Sequence, residues 1–210
     1  METLNGQDFK RILANLAGLM EEKKDELTEL DGVIGDGDLG ITMSKGFRAV
    51  ADALAGLEET DVGKLLGKAG TIMASAVPST MGTLMATGLM RSGKAAMGKQ
   101  EVGLADLAAM MGDFVEGLMA RGKAQPGDKT IIDALHPAAE ALKAAAAAGK
   151  TLAEGLAEAK AAAFAGLEAT KGMISQHGKA ACFQEKTLGR QDPGATVGAW
   201  FIQAFADYAA

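Results

Sequence analysis

The sequence predicts an all-α fold: eight antiparallel amphipathic helices in an up-and-down bundle or closed helical barrel. Three observations predict it. Apolar residues recur at intervals of three and four along almost the whole chain. No window shows the sustained alternation of a half-buried strand. The hydrophobic fraction of 48% comes largely from Ala, Leu and Met while aromatics make up only 4%, a mixture that favours helices over sheets. At 210 residues the chain can bury a sizeable core unaided, and one domain over 1–210 is expected.

The first helix, about 20 residues long, is marked by Phe9, Ile12, Leu13, Leu16, Leu19 and Met20. Met43, Phe47, Val50, Leu54 and Leu57 mark a second, and Val62, Leu65, Leu66, Ala69, Ile72 and Met73 a third. A fourth covers about 82–96. Leu104, Leu107, Met110, Met111, Phe114 and Leu118 define the fifth. The sixth starts near Lys129 and runs to Gly149, with Pro137 kinking it or lying near its first turn. Leu152, Leu156, Ala159, Ala163, Leu167 and Ile174 give the seventh, and Val197, Trp200, Phe201, Ala204, Phe205 and Tyr208 the eighth. Short connections containing glycine make consecutive helices antiparallel neighbours. The longer connections, roughly 30–40, 76–83, 121–129 and 178–194, all follow odd-numbered helices and therefore come to one end of the bundle.

Composition excludes several function classes. With 27 acidic against 21 basic residues and a net charge of -6, the chain has no electrostatic footprint for nucleic acid. Cys182 is the only cysteine, so an internal disulfide and a thiolate zinc cluster are excluded. No apolar run reaches the roughly 18 residues of a membrane span, and the N-terminus lacks a basic region followed by an apolar one. A cytoplasmic location is expected. His136 and His177 are not at helical ligand spacing from each other, and no Ser-His-Asp or Cys-His pattern supports a covalent nucleophile.

The chemistry concentrates in the first long connection, Asp31-Gly-Val-Ile-Gly-Asp36-Gly-Asp38. Three carboxylates within eight residues, separated by glycines, repel one another unless a cation neutralises them, and hard ions such as Mg²⁺ or Ca²⁺ prefer such ligands. The competing reading is a solvated acidic turn with Asp38 capping the next helix. An EF-hand fails, because the twelfth residue is Thr42 counting from Asp31 and Phe47 counting from Asp36, not Glu. Gly35-Asp-Gly37-Asp-Leu-Gly40 has dinucleotide-fingerprint spacing, but no strand precedes it. Gly88-Leu-Met-Arg-Ser-Gly93-Lys94-Ala95 resembles a P-loop, yet it carries Ala where the metal-binding hydroxyl belongs and continues a helical pattern.

The other long connections supply partners for such a site. Val77-Pro-Ser79-Thr80-Met81-Gly82-Thr83 opens a helix, where backbone donors and the dipole favour anions; Ser79 or Thr80 acting only as an N-cap is the alternative. Arg121-Gly-Lys-Ala-Gln-Pro-Gly-Asp128-Lys129-Thr130 combines cations, turn residues and Asp128 as a cap, and by itself reads as a basic surface turn. Gly189-Arg190-Gln-Asp192-Pro193-Gly194-Ala-Thr196 opens the last helix, and its glycines permit close approach of a ligand.

Together these segments resemble the nucleotide-binding L subunit of bacterial dihydroxyacetone kinases, from about Leu30 to Thr196. That family has a D-x-x-I-G-D-x-D-x-G loop, a G-G-A-S-G-P phosphate loop, an R-G-K-A-x-P-G-D-K-T segment and a final D-P-G-A turn. Three of the four stand here, at Asp31–Gly40, Arg121–Thr130 and Asp192–Ala195. The resemblance implies an eight-helix barrel with ADP or ATP at one end, its phosphates bridged by two Mg²⁺ to Asp31, Asp36 and Asp38. It puts Leu39, Gly40, Ile41 and Thr42 along the phosphate approach and Thr80 and Met81 on the phosphate loop. Gly122 and Ile131 fall near the nucleoside, Lys179 where the family commonly has Arg, and Asp192, Pro193 and Gly194 on the closing turn. Four departures are visible: Leu39 replaces a His, Pro78–Thr83 replaces G-G-A-S-G-P, Lys179 replaces Arg, and Ala181–Thr187 replaces S-Y-L-G-E-R-S. A lysine is a point charge and cannot reproduce the planar fork of Arg.

The implied activity is phosphoryl transfer from Mg-nucleotide to dihydroxyacetone held covalently through a histidine of a separate K-type subunit. The donor is either exchanging ATP or a resident ADP rephosphorylated by a phosphotransferase-system M subunit. The alternatives are a paralogue serving another short ketose such as erythrulose, a nucleotide-sensing regulatory module, and a helical scaffold without nucleotide affinity.

Overall fold

The computed structural model describes residues 1–210. Helix α1 (Gly6–Glu22) starts at a capping box: Asn5 Oδ1 accepts from the Gln7 and Asp8 amides at 2.8 and 3.1 Å, and Asp8 Oδ2 accepts from the Asn5 amide at 2.9 Å. At Lys23 the helix bends and continues as α2 (Lys24–Ile34). Backbone bonds cross the bend, from Lys23 N to Leu19 O and from Leu27 N to Lys23 O, so α1 and α2 form one bent arm. The remaining helices are α3 (Leu39–Ala55), α4 (Val62–Ala76), α5 (Thr80–Ala95), α6 (Leu104–Gly122), α7 (Ile132–Ala147), α8 (Leu152–Ala169) and α9 (Pro193–Ala209). Eight antiparallel arms therefore stand in chain order, as the periodicity predicts, with the first divided in two.

Each arm packs on the next, and α9 returns to α1 to close the ring. Phe9 and Phe205 meet edge-on at 5.9 Å, and the Tyr208 hydroxyl donates to Asp8 Oδ1 at 2.6 Å. Inside the ring lies one cluster of 55 buried apolar residues, drawn from every arm. No helix is long and apolar enough to cross a membrane.

Several boundaries differ from the sequence reading, each for a local reason. Helix α5 starts at Thr80 because Ser79 is its N-cap, accepting from Gly82 N at 3.1 Å. Helix α7 starts at Ile132, not Lys129, because Lys129 has φ +59°. Pro137 lies inside α7, and α8 ends at Ala169, which leaves Ile174 outside it. The P-loop-like run Gly88–Ala95 is ordinary α5; Gly88 makes room for Phe114, whose ring would lie 2.5 Å from a Cβ there. The strands β1 (Leu4–Asn5) and β2 (Glu101–Val102) pair antiparallel, too briefly for alternation to betray them.

The loops 35–38, 77–79, 123–131 and 170–192 come to one end of the ring, as the parity of the helices requires. A Cβ on Gly194 would lie 3.1 Å from Met81 Cε and 3.3 Å from Ile131 N, and Lys179 reaches Asp36. The opposite end carries 56–61, 96–103 and 148–151; there Asp61 caps α4 through Lys64 N and also accepts from Gly98 N at 3.0 Å.

Helix crossings are close. A Cβ on Gly166 would lie 2.1 Å from the Asp133 carbonyl, the acceptor that Pro137 cannot serve because it has no N–H. Gly166→Ala is expected to push α8 off α7 and cost about 1–3 kcal/mol, the usual range for overpacking. Urea unfolding checks this, and an unshifted midpoint would refute it.

Candidate functional site

The acidic segment is only partly a loop. Asp31 lies in the last turn of α2, while Asp36 and Asp38 flank Gly37 in the connection to α3. The glycines have steric reasons. A Cβ on Gly35 would fall 2.2 Å from Asp31 Oδ1, Gly37 has φ +72°, and a Cβ on Gly40 would fall 2.1 Å from Lys24 O. The chain thus folds back over the Asp31 carboxylate and lays the first turn of α3 on α2.

This folding aims Asp31 at the start of α3. Its Oδ2 accepts from the Asp38 and Leu39 amides at 3.1 and 3.3 Å, so Asp31 satisfies two of the helix's free donors from the preceding element. Asp38 stands at the N-cap position but makes no cap bond with its side chain. The capping alternative for Asp38 therefore fails, and its carboxylate is left to the cluster. Each of Asp31, Asp36 and Asp38 offers an oxygen, and these oxygens lie within 4.8 Å of one another. Like charges about 5 Å apart repel by roughly 1 kcal/mol in water and several-fold more near a protein surface.

The only cation bonded to the cluster is Lys179, whose ammonium donates to Asp36. That contact holds the Asp36 carboxyl below, and the Lys179 ammonium above, its ordinary range. Burial pushes Asp31 up, opposed by the Leu39 amide and reinforced by the Asp36 charge. One ammonium against three carboxylates leaves a deficit of positive charge that hard oxygen donors commonly fill with a divalent ion. The donor set fits Mg²⁺.

The other expected site residues fall into two groups. Leu39 and Gly40 are buried in the first turn of α3, Thr42 is half-buried, and Ile41 is exposed. Thr80 is exposed at the start of α5, where Ser79 acts as the cap. Met81 meets Gly194 and Ile131, and Gly122 lies against Leu84. Lys179 joins the triad, whereas Asp192, Pro193 and Gly194 are buried. Asp192 faces inward: its Oδ2 caps α9 by accepting from Ala195 N at 2.7 Å, and its own amide donates to Thr170 Oγ1 at 3.0 Å. It stays in the ring wall.

Two readings of the third connection are corrected. Asp128 does not cap α7; it accepts from Gln125 N at 2.8 Å and meets His177 Nε2 at 3.0 Å. The tie across this turn is instead Asp133, which accepts from Gly127 N and Thr130 N at 2.6 and 2.7 Å. Nor is the turn basic throughout at the surface, because Lys129 is 2% exposed and donates to the Met173, Thr187 and Arg190 carbonyls. Sequence reasoning missed it, since nothing local distinguishes a buried lysine in a Pro-Gly-Asp turn from a solvated one.

A closed ring of helical arms with a carboxylate cluster between the first two is the class of protein defined here, and comparison gives it a family. The chain belongs to the DAK2 domain family, whose model matches residues 33–207; Asp31 falls two positions before the match. It is similar to the ADP-binding subunit DhaL of the PEP-dependent dihydroxyacetone kinase of Escherichia coli K12, at 32% identity over 194 residues covering 92% of each chain. The corresponding subunit of dihydroxyacetone kinase 2 of Listeria innocua is 34% identical over 196 residues, covering 92% of this chain and 90% of that one. The solved dihydroxyacetone kinase of C. freundii in complex with AMP-PNP and Mg²⁺ aligns with a TM-score of 0.73 at 27% identity. That alignment covers 99% of this chain, which spans about a third (34%) of the length of that kinase.

Burial pushes the Asp192 carboxyl up to about 7; the Ala195 amide opposes this, the Asp133 charge adds to it and Lys129 opposes it. An unfolded aspartate titrates near 4, so the folded state binds the extra proton between about pH 4 and pH 7. Its contribution to stability is complete below that window and is lost as pH rises through about 7. Asp192→Asn keeps an oxygen for Ala195 N and removes this titration. Between about pH 5 and pH 8 the wild-type melting temperature should fall relative to that of the variant. Parallel profiles would refute the assignment.

Proposed function

We propose that this chain is the nucleotide-carrying component of a multicomponent dihydroxyacetone kinase, a phosphotransferase acting on an alcohol group. The observation that carries the reading is the triad: three carboxylate oxygens within 4.8 Å of one another beside a helix start, with one lysine against them. The names of the relatives, ADP-binding subunits and a kinase complexed with AMP-PNP and Mg²⁺, point the same way.

Asp31, Asp36 and Asp38 would hold Mg²⁺, two ions being expected for a bridged polyphosphate. Bound there, the metal supplies charge neutralisation to the transferring phosphoryl group. The chain's own residues position and shield. Asp31 is fixed by the amides it caps, so its carboxylate stays in place as Asp36 and Asp38 engage a cation. The Thr80 and Met81 amides open α5 with Ser79 already serving as the cap, and they offer donors to an anion approaching along Leu39–Thr42. Met81, Ile131 and Gly194 form the packed floor beside them, and Gly122 lies against Leu84 of the same helix as Met81. Asp192 and Pro193 supply the buried turn that sets Gly194 in that floor. Residues 1–210 are read as one nucleotide-binding domain built on a single core cluster.

The acceptor, dihydroxyacetone or a related ketose, would be held by a separate K-type subunit, and activity would depend on it. The PEP-dependent relatives favour a resident ADP recharged by a phosphotransferase-system M subunit over exchanging ATP.

Calorimetry with Mg²⁺ and ADP should show binding, and silence would overturn the reading. Asp36→Asn or Asp38→Asn should weaken binding at least about tenfold, the lower bound for disturbing even the surroundings of a metal ligand. Circular dichroism should stay unchanged, since each variant relieves repulsion. With a K-type partner and either donor system, phosphorylated dihydroxyacetone or erythrulose should form. Nucleotide binding without any sugar phosphate would favour a sensing module instead.

A further inference from the structure

Between α8 and α9 the chain forms a strap, residues 173–190, that arches over the acidic end of the ring. Its roots are gathered on one side chain. The Lys129 ammonium donates to Met173 O at 3.2 Å, to Arg190 O at 2.8 Å and to Thr187 O. Each of its three protons meets one carbonyl, which is what a buried ammonium without a bonded carboxylate requires. Further ties lie near the same roots: Gly189 N to Lys171 O at 2.7 Å, Ser175 N to Thr187 Oγ1 at 3.1 Å and Gln176 N to Asp128 O at 3.0 Å. The middle of the strap is different. From Lys179 to Lys186 most residues are exposed, Gln184 has φ +47°, and the one hydrogen bond to anything beyond the strap is from Lys179 to Asp36.

We infer that Lys129 is a positioning residue: by gathering the roots of the strap it sets the arch that delivers Lys179 onto Asp36 of the triad. The inference rests on the reading of Asp31, Asp36 and Asp38 as a Mg²⁺ site. Lys129 itself touches none of those carboxylates and acts through the strap, whose roots at Met173 and Thr187 stand six and eight residues from Lys179. Its removal leaves the Met173 and Arg190 carbonyls without a donor and Thr187 O with only the Arg190 amide at 3.3 Å, and the lost partners can be regained only by lifting the strap into water. The damage is therefore confined to the strap while the helical ring stays packed. Lys179, freed from its arch, no longer occupies Asp36, and a cation meets one competitor fewer.

Two measurements on the full chain test this: hydrogen exchange across all peptides, and calorimetry with Mg²⁺ alone. In Lys129→Met, amides of 173–190 should exchange at least about tenfold faster while α4–α6 keep their protection. Lys179→Met should tighten Mg²⁺ by about two- to fivefold, the scale of an exposed ion pair. Lys129→Met should reproduce that tightening, and the double variant should add nothing further. Unchanged strap exchange in Lys129→Met, or a full Lys179→Met effect persisting in its background, would overturn the inference. Failure of Lys129→Met to fold would also overturn the inference, which confines the damage to the strap; Thr187→Val, which removes the acceptor of Ser175 N from the same root, should likewise speed strap exchange and tighten Mg²⁺. Absence of Mg²⁺ binding in every variant would sink the metal reading alone, because the exchange measurement still decides whether Lys129 sets the strap.

Discussion

The structure depends on how closely its helix backbones approach. At the α4–α5 crossing, a Cβ on Gly63 would stand 2.5 Å from Gly93 O, and one on Gly93 would stand 2.6 Å from Gly63 O, so neither position admits any other residue without parting the helices. Each helical glycine costs about 1 kcal/mol against alanine. The cost is offset because the arms come near enough to close a ring around a core of Leu and Met with few aromatics. The same constraint reaches the acidic end through Gly40. With no side chain there, the first turn of α3 lies on Lys24 O, and Asp38 is brought beside Asp31. The placing of the carboxylates and the packing of the helices thus share one steric requirement.

Most of the architecture was legible because helical periodicity and the parity of connections are local signals. Four long connections after odd helices must share an end, and they do. The bend at Lys23 was not legible, since no Gly or Pro marks it and its hydrogen bonds run on. Nor was the start of α7, where the pattern of apolar residues continues through a lysine with positive φ. At the site, the residue types of the triad could be read from spacing. The division of labour among them could not: that Asp31 serves α3 while Asp38 is left free depends on the direction in which α2 ends.

Lys129 and Asp192 show the deeper limit. Lys129 sits in a turn that reads as surface and Asp192 in one that reads as a helix opening, and both are buried because segments distant in the chain close over them. An ammonium meeting three carbonyls and a carboxyl capping a helix from inside the wall are satisfied polar groups, which the interior tolerates. Neither is visible until the partners at 170–190 are placed.

Closure of the ring also decides how anything joined to this chain would reach its acidic end. The Tyr208–Asp8 contact and the β1–β2 pair hold both ends of the described chain at the face away from the triad. A polypeptide tethered at either end must travel the length of α9, 17 residues or about 25 Å, before it can present a reactive group at the acidic mouth. A partner arriving as a free subunit meets no such detour. For this topology, a tethered segment and a free one differ in their reach to the acidic end by the length of one helix.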